Sequence, residues 1–383
     1  MTTGSRPVRL VIAGGGTGGH YFPAVAIANR ICELAGDEDH QNIMFVGTQR
    51  GIEYRLRESL PYQLQLISVR GLARSFTLRN LAVPFLAVKS LWQSRALLKE
   101  FRPDLVIGTG GYVCWPVLTM AARMKIPTVL QEQNSFPGVT TRRLAGSATR
   151  IYLGFDEARQ YLPSTVPAIT TGNPVRKSVA MGDRKKALAY FKLDPSLRTI
   201  LVLGGSQGAR SINDAVLKGL DNGSLPERCQ LLWQAGQNDF DKIRTVIGDK
   251  FKRTVVFPFE QKMDLVYAAA DLAVARAGAI TLAEIEAVSL PALLVPYPHA
   301  AGDHQRMNAR ASAAQGHAEV IDPNDLTGVD LLARAREMFD DGRVDRMRQN
   351  IRQHLAGRKP AVDVIAEDIL KIATKAQEAT VDR

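Results

Sequence analysis

Leu10 to His20 reads LVIAGGGTGGH, and Ile200 to Arg210 reads ILVLGGSQGAR. Each stretch runs from an apolar strand pattern into glycines and then toward a helix, the layout of a mononucleotide-binding turn. Glycines there let the backbone approach a phosphate at a helix N-terminus, where unpaired N–H groups and the helix dipole favour an anion. Two such openings in one chain predict an α/β protein of two Rossmann-like doubly wound domains in tandem.

The flanking sequence repeats the scheme. In the first half strands are expected near Val8–Ala13, Asn42–Val46, Gln63–Val69, Leu105–Ile107, Thr128–Leu130 and Arg150–Leu153. In the second they are expected near Ile200–Leu203, Gln230–Trp233, Val255–Phe257, Leu272–Ala275 and Ala292–Val295. Helical patterns separate them, which argues for parallel sheets. Between the halves, GNPVR (Gly172–Arg176) joins a flexible glycine to a proline without an amide hydrogen, a composition suited to a hinge. The expected division is residues 1–173 and 174–364, with a final helix of about 365–383 packing back on the first domain.

Bulk properties agree. A chain of 383 residues, 45% hydrophobic and 23% charged, is too long for one core and ordinary for two. No apolar run reaches the roughly 18–20 residues that span a bilayer, and MTTGSRPVRL lacks a signal-peptide core, so a cytoplasmic location is expected. Cys32, Cys114 and Cys229 are far apart and form no CxxC pair, which points away from disulfides and zinc. The net charge of +11 is uneven: residues 1–173 hold 19 basic and 11 acidic residues, the remainder 30 and 27. That basic first half suits an anionic partner without saying which.

The motifs narrow the choice. Gly14, Gly16 and Gly19 satisfy GxGxxG, but the second strand ends in Gly47, Thr48 and Gln49, without the acid that a dinucleotide enzyme places on a ribose. The turn also lacks the GK[ST] ending of a P-loop. GTGGY (Gly108–Tyr112) and the polar run Gln131, Glu132, Gln133 and Asn134 add further groups at the carboxyl edge of the first sheet, where doubly wound folds bind ligands. In the second half, Ser206 and the amides of Gly204–Ala209 can receive phosphate oxygens. ARAGAITLAEIEA (Ala275–Ala287) ends a strand and starts a helix, with Glu284 about one turn in and able to accept from ribose hydroxyls. HAAGDHQRMNA (His299–Ala309) gathers His299, Asp303, His304, Gln305 and Asn308, but not at metal-ligand spacing. The acid-x-acid triplets Asp37–Asp39 and Asp239–Asp241 read as solvated turn charges.

Taken in order, GGGTGGH, the GGY turn, EQN, GNPVR, GGSQGAR, RAGA-x-T-x-x-E and DHQ-x-x-NA, spread from residue 14 to residue 309, resemble the MurG family of bacterial glycosyltransferases. The resemblance implies a GT-B fold, with the two domains facing across a cleft, and an inverting transfer of N-acetylglucosamine from UDP-N-acetylglucosamine to lipid I, giving lipid II and UDP. Carried over by motif, Ser206 faces the diphosphate. Arg176, the loop at Phe259 and Glu260, the segment Ala279, Ile280, Thr281, Leu282, Ala283 and Glu284, and Gln305 surround the nucleotide sugar. Thr17, Gly18, Gly19 and Asn134 approach it from the first domain, while Gly16, His20, Tyr112 and Glu132 face the acceptor. No metal and no cofactor is implied. The implied partners are the donor, lipid I and an anionic membrane surface, with no nucleic acid, at the cytoplasmic face of the inner membrane.

Two positions depart from the family pattern. Gln131 stands where the family often has histidine, which concentrates the base role on His20, and Glu260 stands where an aliphatic residue is common. Inverting displacement needs a base for the acceptor hydroxyl and positive dipoles for the departing diphosphate. The alternatives are an epimerase acting on the same nucleotide sugar, or a non-catalytic nucleotide-regulated membrane module. Membrane docking is expected from Leu81–Leu98, which follows Arg70, Arg74 and Arg79, with a core helix buried between neighbours as the alternative. Its apolar residues form three stripes, Phe85 with Trp92, Leu91 with Leu98, and Leu86 with Leu97, where an ordinary surface helix has one.

Overall fold

The computed structural model describes residues 6–37, 40–69, 83–204, 208–248 and 250–381. The chain forms two compact units, one of Met1–Arg176 with Lys359–Arg383, the other of Lys177–Arg358.

The first unit holds seven strands, β1 (Leu10–Gly14), β2 (Ile43–Gly47), β3 (Gln63–Leu66), β4 (Leu105–Gly110), β5 (Thr128–Glu132), β6 (Arg150–Leu153) and β7 (Ala168–Thr170). They pair in parallel in the order β3-β2-β1-β4-β5-β6-β7. The chain starts at β1, builds outward to β3, then returns beside β1 as β4, so the carboxyl ends of β1 and β4 form the switch point at which such sheets bind ligands. β1 is buried on both faces. Leu10 and Ile12 point into one core with Ile27, Phe45 and Ile107, while Val11 and Ala13 point into the other with Val46, Val106 and Leu118.

The helix Ala361–Val381 begins four residues ahead of the expected 365 and closes the first of these cores. Ile365, Ala366, Ile369 and Ala373 are fully buried there. Full burial of each isoleucine contributes about 1.5–3 kcal/mol relative to exposure. Polar contacts fix its direction: Arg30 Nε meets Asp363 at 2.5 Å, and the Tyr152 hydroxyl donates to Asp368 at 2.9 Å.

The second unit holds β8 (Arg198–Leu203), β9 (Cys229–Gln234), β10 (Thr254–Phe257), β11 (Leu272–Ala275), β12 (Ala292–Leu294) and β13 (Ala318–Val320). These too are parallel, in the order β10-β9-β8-β11-β12-β13, with the switch point between β8 and β11. Its core is built on Ile200, Val202, Trp233, Val274 and Leu293. The short edge strands β7 and β13 were not expected from the sequence, and Val69 lies beyond the end of β3.

The helix Val83–Phe101 sorts its three expected stripes. Leu98 is core, Leu91 and Leu97 pack partly against the core, and Ser90 and Ser94 are buried with them, their hydroxyls donating to Ala87 and Ser90 carbonyls. Phe85 and Trp92 stand outside at 75% and 76% exposure, with Val88 between them. The Leu91 and Leu98 stripe is therefore an inward face, and the outward apolar face is Phe85, Val88 and Trp92. Leu81, Arg70, Arg74 and Arg79 lie outside the described residues.

Candidate active site

At the β1/β4 switch point the two glycine turns touch each other. A methyl on Gly14 would sit 1.8 Å from Thr109 Oγ1, and one on Gly111 (φ +82°) would sit 2.6 Å from the Gly15 carbonyl. Cys114 ties the turns together, accepting from the Gly110 amide at 3.1 Å and lying 2.8 Å from the Ala13 carbonyl, where burial pushes its thiol up to about 12 and keeps it neutral. All three cysteines are free and buried.

His20 lies in the first turn of the helix Gly18–Ala35, its ring against Gly110, whose φ of +105° and lack of a side chain make room for it. His20 Nδ1 is 3.1 Å from the Thr109 carbonyl and 3.0 Å from Gln133 Oε1. The Gln133 amide nitrogen in turn donates to the Thr109 carbonyl at 2.7 Å, the Gln131 carbonyl at 2.9 Å and Gln131 Oε1 at 2.5 Å. All three of those partners accept only, so the amide cannot be flipped, and its oxygen faces His20. Nδ1 therefore meets two acceptors and carries the proton, which leaves the lone pair on Nε2. Behind it the chain of amides continues, with Gln131 Nε2 donating to Asn173 Oδ1 at 3.0 Å and Asn173 Nδ2 to the Gln133 carbonyl at 2.9 Å. Gln131, which departs from the family pattern, is thus a buried member of the support for His20.

Other expected residues of this unit divide. Thr17 and Gly19 are exposed and Gly18 is half-buried at the helix start, with no acidic residue in its first turn. Tyr112 is half-buried beside Gly16, its hydroxyl 3.4 Å from Thr48 Oγ1. Glu132 is 3% exposed, and both its oxygens are engaged: Oε1 accepts from the amide and side chain of Asn134, and Oε2 from the Gly138 amide. It clamps the loop that presents Asn134, rather than standing open to a substrate as expected. The Gly16 amide is likewise turned inward, donating to Glu53 Oε2 at 2.8 Å. Arg176 belongs to this unit, its guanidinium 4.9 Å over the Phe22 ring.

In the second unit the helix Ala279–Ala287 starts at the end of β11, capped by Gly278 in extended geometry with no side-chain cap and no acidic residue in its first turn. Its first amides and dipole thus carry uncompensated positive character. Ala279 and Leu282 are buried, while Ile280, Thr281 and Ala283 are half-buried. Glu284 is 8% exposed, and its Oε2 accepts from the Tyr267 hydroxyl at 2.8 Å, so the carboxylate is aimed before any ligand arrives. Gln305 accepts from the Tyr297 amide at 2.9 Å through its oxygen. Buried Asn308 donates to the Ala277 carbonyl, holding the helix His304–Ala314 to the β11 exit.

Glu260 serves its own turn, accepting from the Gln261 and Lys262 amides and the Tyr190 hydroxyl. Its carboxylate is thus engaged within its own turn and with Tyr190, and its backbone amide donates to Gln234 Oε1 at 3.3 Å. Asp239 is not the solvated charge expected. It is 7% exposed, accepts from Asn213 Nδ2 at 2.9 Å and lies beside Gly208, where Asn213 also holds the Ala235 carbonyl and receives the Trp233 indole. Ser206, Gly205 and Asp39 lie outside the described residues.

Sequence reasoning missed three supports. Glu53 and Tyr267 act on partners distant in sequence. Arg276 was in view within the ARAGA stretch, and its guanidinium donates to the Val295 and Pro296 carbonyls and, at 2.7 Å, to Ser211 Oγ. Burial lowers its pKa, yet it joins the start of the helix Arg210–Asp221 to the exit of β12. Among the described residues no three His, Cys, Asp or Glu side chains gather as a metal ligand set.

Two parallel doubly wound units with ligand-ready switch points are the architecture of GT-B glycosyltransferases, and both family 28 domains place the chain in that class. Residues 10–153 match the glycosyltransferase family 28 N-terminal domain and residues 199–364 its C-terminal domain. Within that class the chain belongs to the MurG family. It is 37% identical over 376 residues, 97% of this chain and 100% of the relative, to the UDP-N-acetylglucosamine–N-acetylmuramyl-(pentapeptide) pyrophosphoryl-undecaprenol N-acetylglucosamine transferase of Desulforamulus reducens. The enzyme of the same name from Chlorobium limicola is 43% identical over 323 residues, 83% of this chain and 87% of that one. Among solved structures, the MurG of Acinetobacter baumannii superposes with a TM-score of 0.72 at 27% identity, covering 95% of this chain and all of the other. The UDP-N-acetylglucosamine 2-epimerase of Neisseria meningitidis shares the fold, with a TM-score of 0.63 at 12% identity over 96% of this chain and 99% of that one.

Proposed function

We propose that the chain transfers N-acetylglucosamine from UDP-N-acetylglucosamine to lipid I, forming lipid II for peptidoglycan synthesis. The full-length relatives supply the substrates, and the epimerases share only the fold. The observation that carries the chemistry is His20, held in the tautomer that offers Nε2 as a base. His20 removes the proton of the acceptor hydroxyl as that oxygen attacks the anomeric carbon from the face opposite UDP, inverting its configuration. UDP leaves with the bonding pair, and the start of the helix Ala279–Ala287 stabilises the charge gathering on its diphosphate. Glu284, aimed by Tyr267, accepts from the ribose hydroxyls, and the Gln305 amide donates to the nucleotide sugar. Ser206, Thr17, Gly18, Gly19, Asn134, Arg176 and the Glu260 loop complete donor binding, and Tyr112 and Gly16 border the acceptor.

Neither a metal nor a cofactor takes part in this reading, because backbone dipoles do the electrostatic work. UDP release should depend on the lipid acceptor and survive EDTA. Release abolished by EDTA and restored by magnesium would sink the metal-free mechanism.

The protein works as a peripheral enzyme at the cytoplasmic face of the inner membrane. No helix among the described residues is long and apolar enough to cross a bilayer. Phe85, Val88 and Trp92 instead form an exposed apolar strip on the helix Val83–Phe101, beside exposed Lys89, Arg95 and Lys99. Apolar side chains set among basic ones bind anionic lipid surfaces reversibly. The basic charge serves that surface and the phosphorylated substrates, not nucleic acid.

A further inference from the structure

Glu53 is a carboxylate that the mechanism above does not use, and it sits inside the first glycine turn. It is 1% exposed. Its Oε2 accepts from the Gly16 amide at 2.8 Å, and its Oε1 accepts from the Thr48 amide at 2.9 Å and the Thr48 hydroxyl at 3.3 Å. Three glycines leave room for it. A methyl on Gly15 would lie 2.4 Å from Oε2, one on Gly47 2.4 Å from Cγ, and one on Gly51 2.0 Å from Oε1. In a phosphate-binding turn the glycines let backbone amides reach a ligand's anionic oxygens. Here the same loop closes on an anion that belongs to the chain.

We propose that Glu53 is the resident anion of the Gly14–Gly16 turn, a positioning residue that takes the seat of a substrate phosphate and thereby sets the acceptor-facing surface. Two consequences follow from the hydrogen-bond directions. The Gly16 amide is spent on Glu53, so the acceptor's diphosphate is bound by other donors, and a phosphate entering the same seat meets a like charge. The Thr48 hydroxyl gives its proton to Glu53, so at the 3.4 Å approach to Tyr112 it is the phenol that donates. Glu53 thus orders Gly16 directly and Tyr112 through Thr48. The functional half of this inference rests on the acceptor role proposed for Tyr112.

The test combines kinetics with a readout independent of transfer. In Glu53→Gln, one amide N–H now opposes a backbone or hydroxyl donor. The KM for a lipid I analogue should rise about tenfold or more, as loss of a charge-assisted hydrogen bond implies, with UDP affinity within about twofold of wild type. Hydrogen exchange at the Gly16 and Thr48 amides should accelerate, and Glu53→Asp should recover part of both effects. Formate added to Glu53→Ala should refill the seat, saturably slowing that exchange and restoring acceptor KM. If Glu53→Ala does not fold, Gly51→Ala displaces the carboxylate without removing it, at a backbone φ of −79° that accepts alanine, and should raise acceptor KM in the same way. Wild-type acceptor KM and amide protection in Glu53→Gln would overturn the proposal. So would a loss shared equally by donor binding, acceptor binding and melting temperature, with no response to formate, since that marks an ordinary core residue. Wild-type protein that transfers nothing to the lipid would instead defeat the reading of Tyr112, leaving amide exchange and formate binding to decide the role of Glu53.

Discussion

The two units meet the problem of anion binding in opposite ways. In the first, the turn after β1 is filled from within by Glu53, and the histidine proposed as the base is braced by neutral amides. In the second, the helix start after Gly278 has no carboxylate in its first turn and no side-chain cap, and its carboxylate, Glu284, is held a turn further on by Tyr267. A strand, a glycine turn and a helix appear at both switch points, and neither helix has an acidic residue in its first turn, yet the turn after β1 spends its Gly16 amide on Glu53 while no carboxylate caps the helix start after β11. Similar local geometry therefore does not dictate similar use. The position of the nearest carboxylate does.

This contrast is broken most severely at His20. His20→Ala should lower turnover by about 10²- to 10⁴-fold, the range for loss of a general base, while UDP affinity stays near wild type. Single-turnover rates and calorimetry separate the two, and an active variant with an unchanged pH profile would remove His20 as base. Next in size is Glu284→Ala, which should weaken UDP binding by about 1.5–3 kcal/mol, as for hydrogen bonds to a charged group, with little change in melting temperature. Tyr267→Phe leaves the carboxylate but removes the 2.8 Å hydrogen bond that aims it, and should cost about 0.5–1.5 kcal/mol of UDP affinity. Equal affinities for wild type and both variants would show that the second unit does not read the ribose there.

On the first unit's surface, wild-type protein should sediment with anionic liposomes at low salt, and Phe85→Ser/Trp92→Ser should release it while keeping its fold and UDP binding. A double variant that unfolds, or wild-type protein that ignores the liposomes, would place docking elsewhere.

The smallest effect concerns acid stability of the second unit. His317 is buried against His354 and Arg358, with Glu286 3.2 Å from His354, and burial first, then those cations, hold its pKa down at about 4 against an ordinary 6.5. The unfolded chain therefore takes up this proton before the folded one. The stability tied to His317 is complete above about pH 6.5 and is lost as pH falls toward 4, by at most about 3 kcal/mol. Denaturation midpoints between pH 7 and pH 4 should fall less in His317→Gln than in wild type, and parallel curves would exclude the effect.

How much of this was legible depends on how far apart the partners lie. The glycine turns, the apolar central strands and the RAGA helix start are local patterns, and their residues announce them. β7 and β13 are three-residue edge strands with half-exposed positions, too short to stand out. Glu53 meets Gly16 across 37 residues, Gln133 meets His20 across 113, and Tyr267 meets Glu284 across 17, so no window of sequence contains either end's reason for the other. Asp239 looked like a solvated turn charge because its burial is decided by Asn213, on a different helix. Glu132 was placed facing the acceptor because EQN matches a motif, whereas its oxygens are taken by the loop it closes.

The proposed division of labour, a base on one unit and a dipole-held donor on the other, is tested most directly by following the sugar. UDP-N-acetylglucosamine labelled in the sugar, incubated with the protein and a lipid I analogue, should yield label in the lipid product with one UDP released per sugar moved, and no release without acceptor. Label that stays on the nucleotide, whether unchanged or as an epimerised sugar, would contradict the account.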